Sequence, residues 1–166
     1  MPTNESSSAF TNSGAEGKPF GPPLIGALLR IPWEAVQQHM LERLHERGFD
    51  DFDRAYFAVF RFPGPHGARP TDLAARVGIS KQALNYLLGQ LERNGYLQRR
   101  DDPHDQRFKR IALTRRGQRA ARAMRDIVRE VEAEWQQQLG PQRFAELRAL
   151  LTDLNDDLAH PQTPDP

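Results

Sequence analysis

The residues best suited to molecular recognition form a short polar run that a helix would bring onto one face. Glutamine and asparagine amides can make paired hydrogen bonds to adenine, and a serine at a helix start can bind a phosphate together with the free backbone N–H groups there. The run therefore predicts a helix that reads the major groove of double-stranded DNA. The alternative for each residue is an ordinary exposed polar side chain. The run consists of Ser80, Lys81, Gln82, Asn85 and Tyr86.

A basic hairpin is predicted directly after this helix. Residues 96–100 and 107–113 have strand-like composition, and a turn-rich segment separates them. Arg107 and Lys109 continue, toward the tip, the face of the second strand whose apolar residues can anchor to a core. Long basic side chains on a narrow hairpin suit the minor groove of DNA, where the potential is most negative. Solvated cations are the alternative.

A sharp turn should orient the predicted recognition helix. Pro70 suits the first position of a preceding helix, and Ala74 is small where two helices would approach closely. Gly78 can take the positive φ of a tight corner, and Ser80 is a good cap for the second helix. This order of elements is typical of a helix-turn-helix.

Two further helices are predicted before this region. An apolar repeat over residues 24–47 indicates a long helix, which Pro32 should kink or divide. Asp50 or Asp51 should cap a second helix over residues 52–61.

The C-terminal third should also be helical. Thr114 should cap a helix that ends near Leu139, and a last helix is predicted over residues 142–158. The apolar stripes of these helices exceed what a compact winged-helix core can cover. They favour an isologous homodimer, and a monomeric helical domain that packs on itself is the alternative.

The predicted fold is mainly α with a small β wing, that is, a winged helix-turn-helix with dimerisation helices at both ends. A flexible N-terminal arm occupies residues 1–20 and a dimerisation helix residues 21–48. The winged helix-turn-helix DNA-binding domain covers residues 49–113. C-terminal dimerisation helices follow over residues 114–158, and residues 159–166 form a flexible tail.

Charge is unevenly distributed along the chain. Residues 99–125 hold ten Arg or Lys against three Asp, a local excess of +7, whereas the remainder has thirteen basic and nineteen acidic residues. A basic block on an acidic body is typical of a protein that binds a polyanion. Arg115 and Arg116 would oppose the dipole at the start of the long helix, and DNA phosphates would offset that penalty. The alternative is a solvated, arginine-rich helix face.

Several functional classes find no support in the residues. The chain has no cysteine, which excludes disulfides and Cys-ligated zinc, and its five histidines form no i, i+3 or i, i+4 pair. No phosphate loop, nucleophile elbow or paired catalytic carboxylates occur. No apolar run approaches the roughly 20 residues that span a bilayer. We therefore expect a cytoplasmic protein without enzymatic activity, cofactor, metal site or membrane partner.

Two motifs follow one another between residues 78 and 117. The run GISKQALNYLLGQLERNGYLQRR precedes DPHDQRFKRIALTRRG, and together with the helices over residues 24–158 they resemble the MarR family of bacterial transcription regulators. In that family, the wing carries an Asp, a basic residue two positions after it, and a second basic residue two positions after the first. Asp105, Arg107 and Lys109 match this pattern, with Lys where Arg is commoner. LTRRG at residues 113–117 matches the family's junction between strand and helix.

The resemblance implies roles for particular residues. Arg107 would enter the minor groove while Asp105 holds its guanidinium, and Lys109 lacks the planar fork for two parallel bonds. A cleft between the dimer helices and the DNA-binding lobe would take a small aromatic anion or a hydrophobic effector. The residues near that cleft would be Trp33, His39, Met40, Tyr56 and Phe60, for which core packing is the alternative.

The leading functional hypothesis is a dimeric, sequence-specific regulator. It would repress by occupying a pseudo-palindromic promoter site, and an effector that prefers the non-binding conformation would release it. Two alternatives are a winged-helix protein-interaction scaffold and a DNA-binding regulator that needs no ligand.

Overall fold

The computed structural model of the chain describes residues 22–60, 67–102 and 109–159. The predicted flexible arm and most of the predicted tail lie outside these ranges, as does the tip of the predicted wing. Helices and one hairpin make up the described parts, which confirms the predicted mainly α fold with a small β wing.

The first helix, α1, spans Ile25–Glu46 and contains Pro32 without being divided. Gly48 ends it in the left-handed region at φ 83°, as the glycine's freedom from a Cβ allows. The Gly48 N–H donates to the His45 carbonyl, and the Phe49 N–H donates to the Leu44 carbonyl, each at 3.0 Å. These two bonds satisfy carbonyls that the helix end would otherwise leave unpaired.

The second predicted helix is shorter and begins later than its sequence pattern indicated. A 3-10 turn, Arg54–Tyr56, leads into the four-residue helix α2, Phe57–Phe60. The cap is Asp53, whose carboxylate accepts from the Ala55 N–H at 2.7 Å. The predicted caps, Asp50 and Asp51, were therefore wrong. The carboxylate of Asp51 has distant partners instead.

The helix-turn-helix consists of α3, Pro70–Val77, and α4, Lys81–Arg93. Gly78 turns the corner at φ 70°, and its N–H donates to the Ala74 carbonyl at 3.1 Å. The Ser80 hydroxyl accepts from the Ala83 N–H at 3.1 Å, so Ser80 caps α4 as predicted.

The hairpin pairs β1, Leu97–Asp101, with β2, Lys109–Leu113, in antiparallel register. Leu97 lies opposite Leu113, and Asp101 lies opposite Lys109. A contact that the sequence pattern did not predict adds Ala68, which exchanges two backbone hydrogen bonds with Ile111 at 3.0 and 2.8 Å. The segment before α3 thereby holds the base of the wing from the side.

A long helix, α5, spans Arg115–Leu139, and α6 spans Pro141–Ala159. The Thr114 hydroxyl caps α5 by accepting from the Gly117 N–H at 3.0 Å. Gly117 lies so close to the link between α4 and β1 that a Cβ there would be 2.1 Å from the Tyr96 carbonyl oxygen. The glycine of the LTRRG segment therefore permits α5 to start against the helix-turn-helix.

An aromatic cluster forms the centre of the core. The Phe52 ring meets the rings of Tyr56, Phe60 and Tyr96 edge to face, with centroids 5.3 to 5.4 Å apart. This geometry is favoured by the ring quadrupoles. Aliphatic residues from α1, α3, α4, β2 and α5 surround the cluster, and those that are fully buried include Leu44, Leu73, Leu84, Leu88, Leu91, Ile111 and Ile127.

Ion pairs align α1 with α5 beside this core. Arg43 donates to Glu134 at 2.5 Å and to Glu130 at 3.1 Å, and Arg47 donates to Glu130 at 2.5 Å. The hydrogen bond from Arg47 is the largest cause that lowers the pKa of Glu130 below its usual value. None of the helices in the described ranges has both the length and the hydrophobicity needed to cross a bilayer.

Candidate nucleic-acid interface

The outer face of α4 is polar and open. Leu84, Leu88 and Leu91 fix the helix to the core by its inner face and are buried. All five residues of the predicted polar run are exposed: Ser80, Lys81, Gln82, Asn85 and Tyr86. Tyr86 is 64% exposed, and its hydroxyl accepts from the Gln90 amide at 3.0 Å. The fold thus presents amide, hydroxyl and ammonium groups together on one helix face, as a groove reader requires.

Of the three wing residues that were predicted to bind DNA, one lies in the part of the chain that the structure describes. Lys109 is exposed and pairs across the strands with Asp101. Asp105 and Arg107 lie outside the described residues.

A buried carboxylate anchors the base of the wing. Asp102 has no solvent exposure, and its Oδ2 lies 2.9 Å from Arg69 Nε and 3.2 Å from Arg110 Nε. Burial of a carboxylate is favourable only when cations and donors satisfy it, and here two guanidinium groups lie beside it. Because Arg69 precedes α3 and Arg110 lies in β2, this pair of contacts ties the wing to the helix-turn-helix. The sequence analysis missed this anchor.

Two neighbouring arginines at the start of α5 differ in their surroundings. Arg115 is exposed, whereas the Arg116 guanidinium donates to Asp51 at 2.7 Å and to the Asn94 carbonyl at 2.8 Å. It also lies 4.5 Å from the centre of the Tyr96 ring, a cation–π distance. Arg116 therefore joins the end of α4 to α5, and Arg115 is the one that faces solvent.

Tyr96 is buried beside Arg116 and donates its hydroxyl to Asp51 at 2.5 Å. Burial, followed by the hydrogen bond to Asp51, raises the pKa of Tyr96 well above its usual value. The phenol is therefore a permanent hydrogen-bond donor at neutral pH.

A cleft of about 1360 Å³ opens between α1, α2 and α5. Trp33, Met40 and Phe60 line it, as predicted, although Met40 and Phe60 also belong to the core. Tyr56 is buried in the core, where its hydroxyl lies 3.4 Å from the Asn94 amide, and it is not part of the lining. His39 likewise lies outside the lining, with Nδ1 3.9 Å from a Glu134 oxygen.

Among the lining residues that the sequence analysis missed are four arginines: Arg54, Arg122, Arg125 and Arg129. The sequence signal for two of them was present, because Arg122 and Arg125 alternate with Ala121, Met124 and Val128 at helical spacing. Their presence in the same cleft as Arg54 depends on how α5 packs. In the described ranges, no group of three His, Asp or Glu side chains is placed to hold a metal ion.

Comparison with known proteins agrees with this architecture. The MarR family model matches residues 50–107, which extend from the segment before the 3-10 turn into the predicted wing. A curated relative, the uncharacterised HTH-type transcriptional regulator YkoM of Bacillus subtilis (strain 168), is 28% identical over 85 residues. That match covers 51% of this chain and 54% of YkoM, so it spans about half the length of that relative.

Solved structures share the fold over most of the chain. Wild-type MarR from E. coli, in its apo form, has a TM-score of 0.66 at 21% identity and covers 80% of this chain and 97% of its own. A mutant of MepR from S. aureus, solved bound to an oligodeoxyribonucleotide, has a TM-score of 0.55 at 24% identity, with 82% and 99% covered. MepR bound to ethidium bromide has a TM-score of 0.57 at 24% identity, with 82% and 97% covered.

These likenesses establish the fold, and the family model matches the helix-turn-helix itself. Both agree with the resemblance seen in the motifs. Over residues 50–107 the chain is thus similar to the MarR family of transcription regulators, and over most of its length it shares the fold of solved MarR structures.

Proposed function

We propose that this chain is a sequence-specific DNA-binding transcription regulator that reads the major groove with the outer face of α4. The observation that carries the proposal is the common exposure of Gln82, Asn85 and Tyr86 on a helix whose other face is buried. Gln82 and Asn85 would contact base edges, and Tyr86 a phosphate or a thymine methyl group. Ser80 and Lys81, at the start of the helix, would bind the backbone.

The wing would supply a second contact. Arg107 would enter the minor groove with Asp105 holding its guanidinium, and Lys109 would lie beside it. The buried anchor at Asp102 supports this role, because a hairpin fixed at its base can place its tip reproducibly. Arg115 would contact a phosphate near the start of α5. Arg116 would also contact a phosphate, and its side chain would keep its bonds to Asp51 and Asn94 while it does so.

The regulator would act as a homodimer. α6 has no buried residue in the isolated chain, and the start of α1 is also apolar and open. Pairing of two copies through these faces would remove them from water, and a two-fold axis would direct both α4 helices at one pseudo-palindrome with half-site centres about 10 base pairs apart. The exposed side chains are Ile25, Leu28, Leu29, Ile31, Leu147, Leu150, Leu154 and Leu158.

Repression relieved by an effector is the mode of regulation that we propose. A molecule in the cleft would touch α1, α2 and α5 together, and would release DNA only if it preferred the conformation that does not bind DNA. By analogy of fold, the solved complex of a MepR mutant with an oligodeoxyribonucleotide supports the proposed DNA binding. The complex of MepR with ethidium bromide supports the proposed binding of a small molecule.

Titration of the full chain onto its own upstream DNA, by fluorescence anisotropy at two salt concentrations, tests the proposal. We expect preference for one palindromic site and a steep loss of affinity at higher salt, because several phosphates are neutralised. Asn85→Ala should weaken binding to that site about tenfold and reduce the preference over random DNA. Arg143→Ala on α6 is the matched exposed control. Weak, unselective binding to every duplex would favour the scaffold function instead.

A further inference from the structure

We propose that the cleft between α1, α2 and α5 binds an amphipathic molecule whose head group carries two negative charges, such as a phosphate monoester on an elongated apolar body. The inference rests on the effector site proposed above and specifies the chemistry of its ligand.

The α5 wall of the cleft combines apolar and cationic side chains. Ala121, Met124 and Val128 line it together with Arg122 and Arg125. Residues three apart on a helix are surface neighbours, with Cβ atoms about 5–6 Å apart, so both guanidinium groups can reach one head group. Two neighbouring like charges are unfavourable without a counter-ion, and a dianion would supply it.

The other charges of the cleft are already compensated. Glu132 pairs with Arg148 at 3.0 Å, and Arg129 pairs with Asp126 at 2.9 Å. Arg54, in the 3-10 turn before α2, also lines the cleft and donates to the neutral Gln37 side-chain oxygen at 3.1 Å. Among the described residues, no acidic side chain forms an ion pair with Arg54, Arg122 or Arg125. The cleft therefore keeps three positive charges for an anion.

The cleft also has large apolar side chains in its lining. Trp33, Val36, Met40, Phe57 and Phe60 form one side. A volume of about 1360 Å³ exceeds the roughly 300–1,000 Å³ of sites for drug-sized ligands. Such a cleft accommodates a longer apolar body than a single aromatic ring. Apolar surface beside uncompensated arginines matches an amphipathic anion and opposes a cation.

Calorimetric titration of the full chain with three ligands of equal chain length tests the head-group charge. The probes are decyl phosphate, decanoate and decyltrimethylammonium, each below its micelle concentration at pH 7.5. We expect decyl phosphate to bind about tenfold more tightly than decanoate, because one more charge-assisted contact forms, and the cation to bind weakest. Equal affinities for all three would overturn the inference, as would a preference for the cation.

Substitution separates the two arginines from the general charge of the helix. The double variant R122Q/R125Q should lose about 100-fold in affinity for decyl phosphate and less for decanoate, since about tenfold is lost with each charged hydrogen bond. R119Q, an exposed arginine of the same helix outside the lining, should leave affinity unchanged. Unchanged affinity in a folded double variant, checked by circular dichroism, would refute the assignment.

DNA titrations in the presence of each probe separate this inference from the proposed function. If decyl phosphate binds as expected but leaves DNA affinity unchanged, the ligand chemistry stands and effector-relieved repression fails. If specific DNA binding is found and decyl phosphate binds no better than decanoate, the DNA function stands and the dianion inference fails. A loss of DNA affinity in R122Q/R125Q with unchanged affinity for decyl phosphate would assign these arginines to DNA and refute the inference.

Discussion

The hydroxyl of Tyr96 donates a 2.5 Å hydrogen bond to Oδ1 of Asp51, which lies 45 positions earlier in the chain. The same oxygen accepts from Arg116 at 2.7 Å. One carboxylate thus joins the segment before the 3-10 turn, the link between α4 and β1, and the start of α5. This contact fixes how α4 is oriented relative to the long helix.

Tyr96→Phe should destabilise the fold by about 1.5–3 kcal/mol, because the buried ring remains while a hydrogen bond to a charged acceptor is lost. Urea unfolding followed by circular dichroism measures this. Tyr86→Phe is the matched control, since its hydroxyl is exposed, and it should change stability by no more than about 0.5 kcal/mol. Similar effects from the two variants would contradict the role given to the Asp51 contact.

Substitution of Arg115 should affect DNA affinity and substitution of Arg116 should affect stability, although the two residues are adjacent. Arg115→Gln should lower DNA affinity and reduce the salt slope by about 1, because one phosphate contact is lost, with little change in stability. Arg116→Gln should lower the stability of the fold, because Asp51 loses its cation and Tyr96 its cation–π contact. Anisotropy titrations and urea unfolding on both variants give the comparison. The opposite pattern would exchange the two roles.

Two glycine-to-alanine changes should shift the stability of the fold in opposite directions. Gly117→Ala places a Cβ 2.1 Å from the Tyr96 carbonyl oxygen and should destabilise the fold by about 1–3 kcal/mol through overpacking. Gly89→Ala lies within α4, where the new Cβ meets only the end of the Arg93 side chain at 3.5 Å. It should stabilise the fold by about 0.5–1 kcal/mol. Thermal unfolding of both variants checks the prediction, and a neutral Gly117→Ala would mean that α5 can shift.

Asp101 and Asp102 are neighbours in the chain with different burial. Asp102→Asn should cost about 1.5–3 kcal/mol, because the buried side chain loses the charge that strengthens its contacts with Arg69 and Arg110. Asp101→Asn breaks an exposed pair with Lys109 and should cost about 0–1 kcal/mol. Denaturant unfolding of both variants measures the two losses of stability. Equal, small effects would show that the wing base is not anchored by charge.

Arg107→Ala should weaken DNA binding at least about tenfold and leave the oligomeric state unchanged, because the side chain is proposed to bind DNA and not the core. Anisotropy gives the affinity, and sedimentation equilibrium gives the oligomeric state. Lys109→Ala should weaken binding less, since Asp101 already pairs with this lysine. An unchanged affinity in Arg107→Ala would rule out the wing contact.

Helix ends and the polar face of α4 could be predicted from the sequence because their determinants are local. Ser80, Thr114 and Gly78 each act on backbone groups within four positions, so the residue type is enough to predict the cap or the turn. The exposure of Gln82 and Asn85 followed in the same way from the 3.6-residue period of an apolar helix face.

Tertiary structure alone decided the partners of the charged residues. Asp51 has a side chain that can cap a helix, but packing placed Tyr96 and Arg116 against it, and Asp53 took the cap. Arg54 likewise came to line the same cleft as Arg122 and Arg125 only when α5 packed beside α1. A long charged side chain can bind any group within its reach. Its partner is therefore set by which distant elements the core brings together.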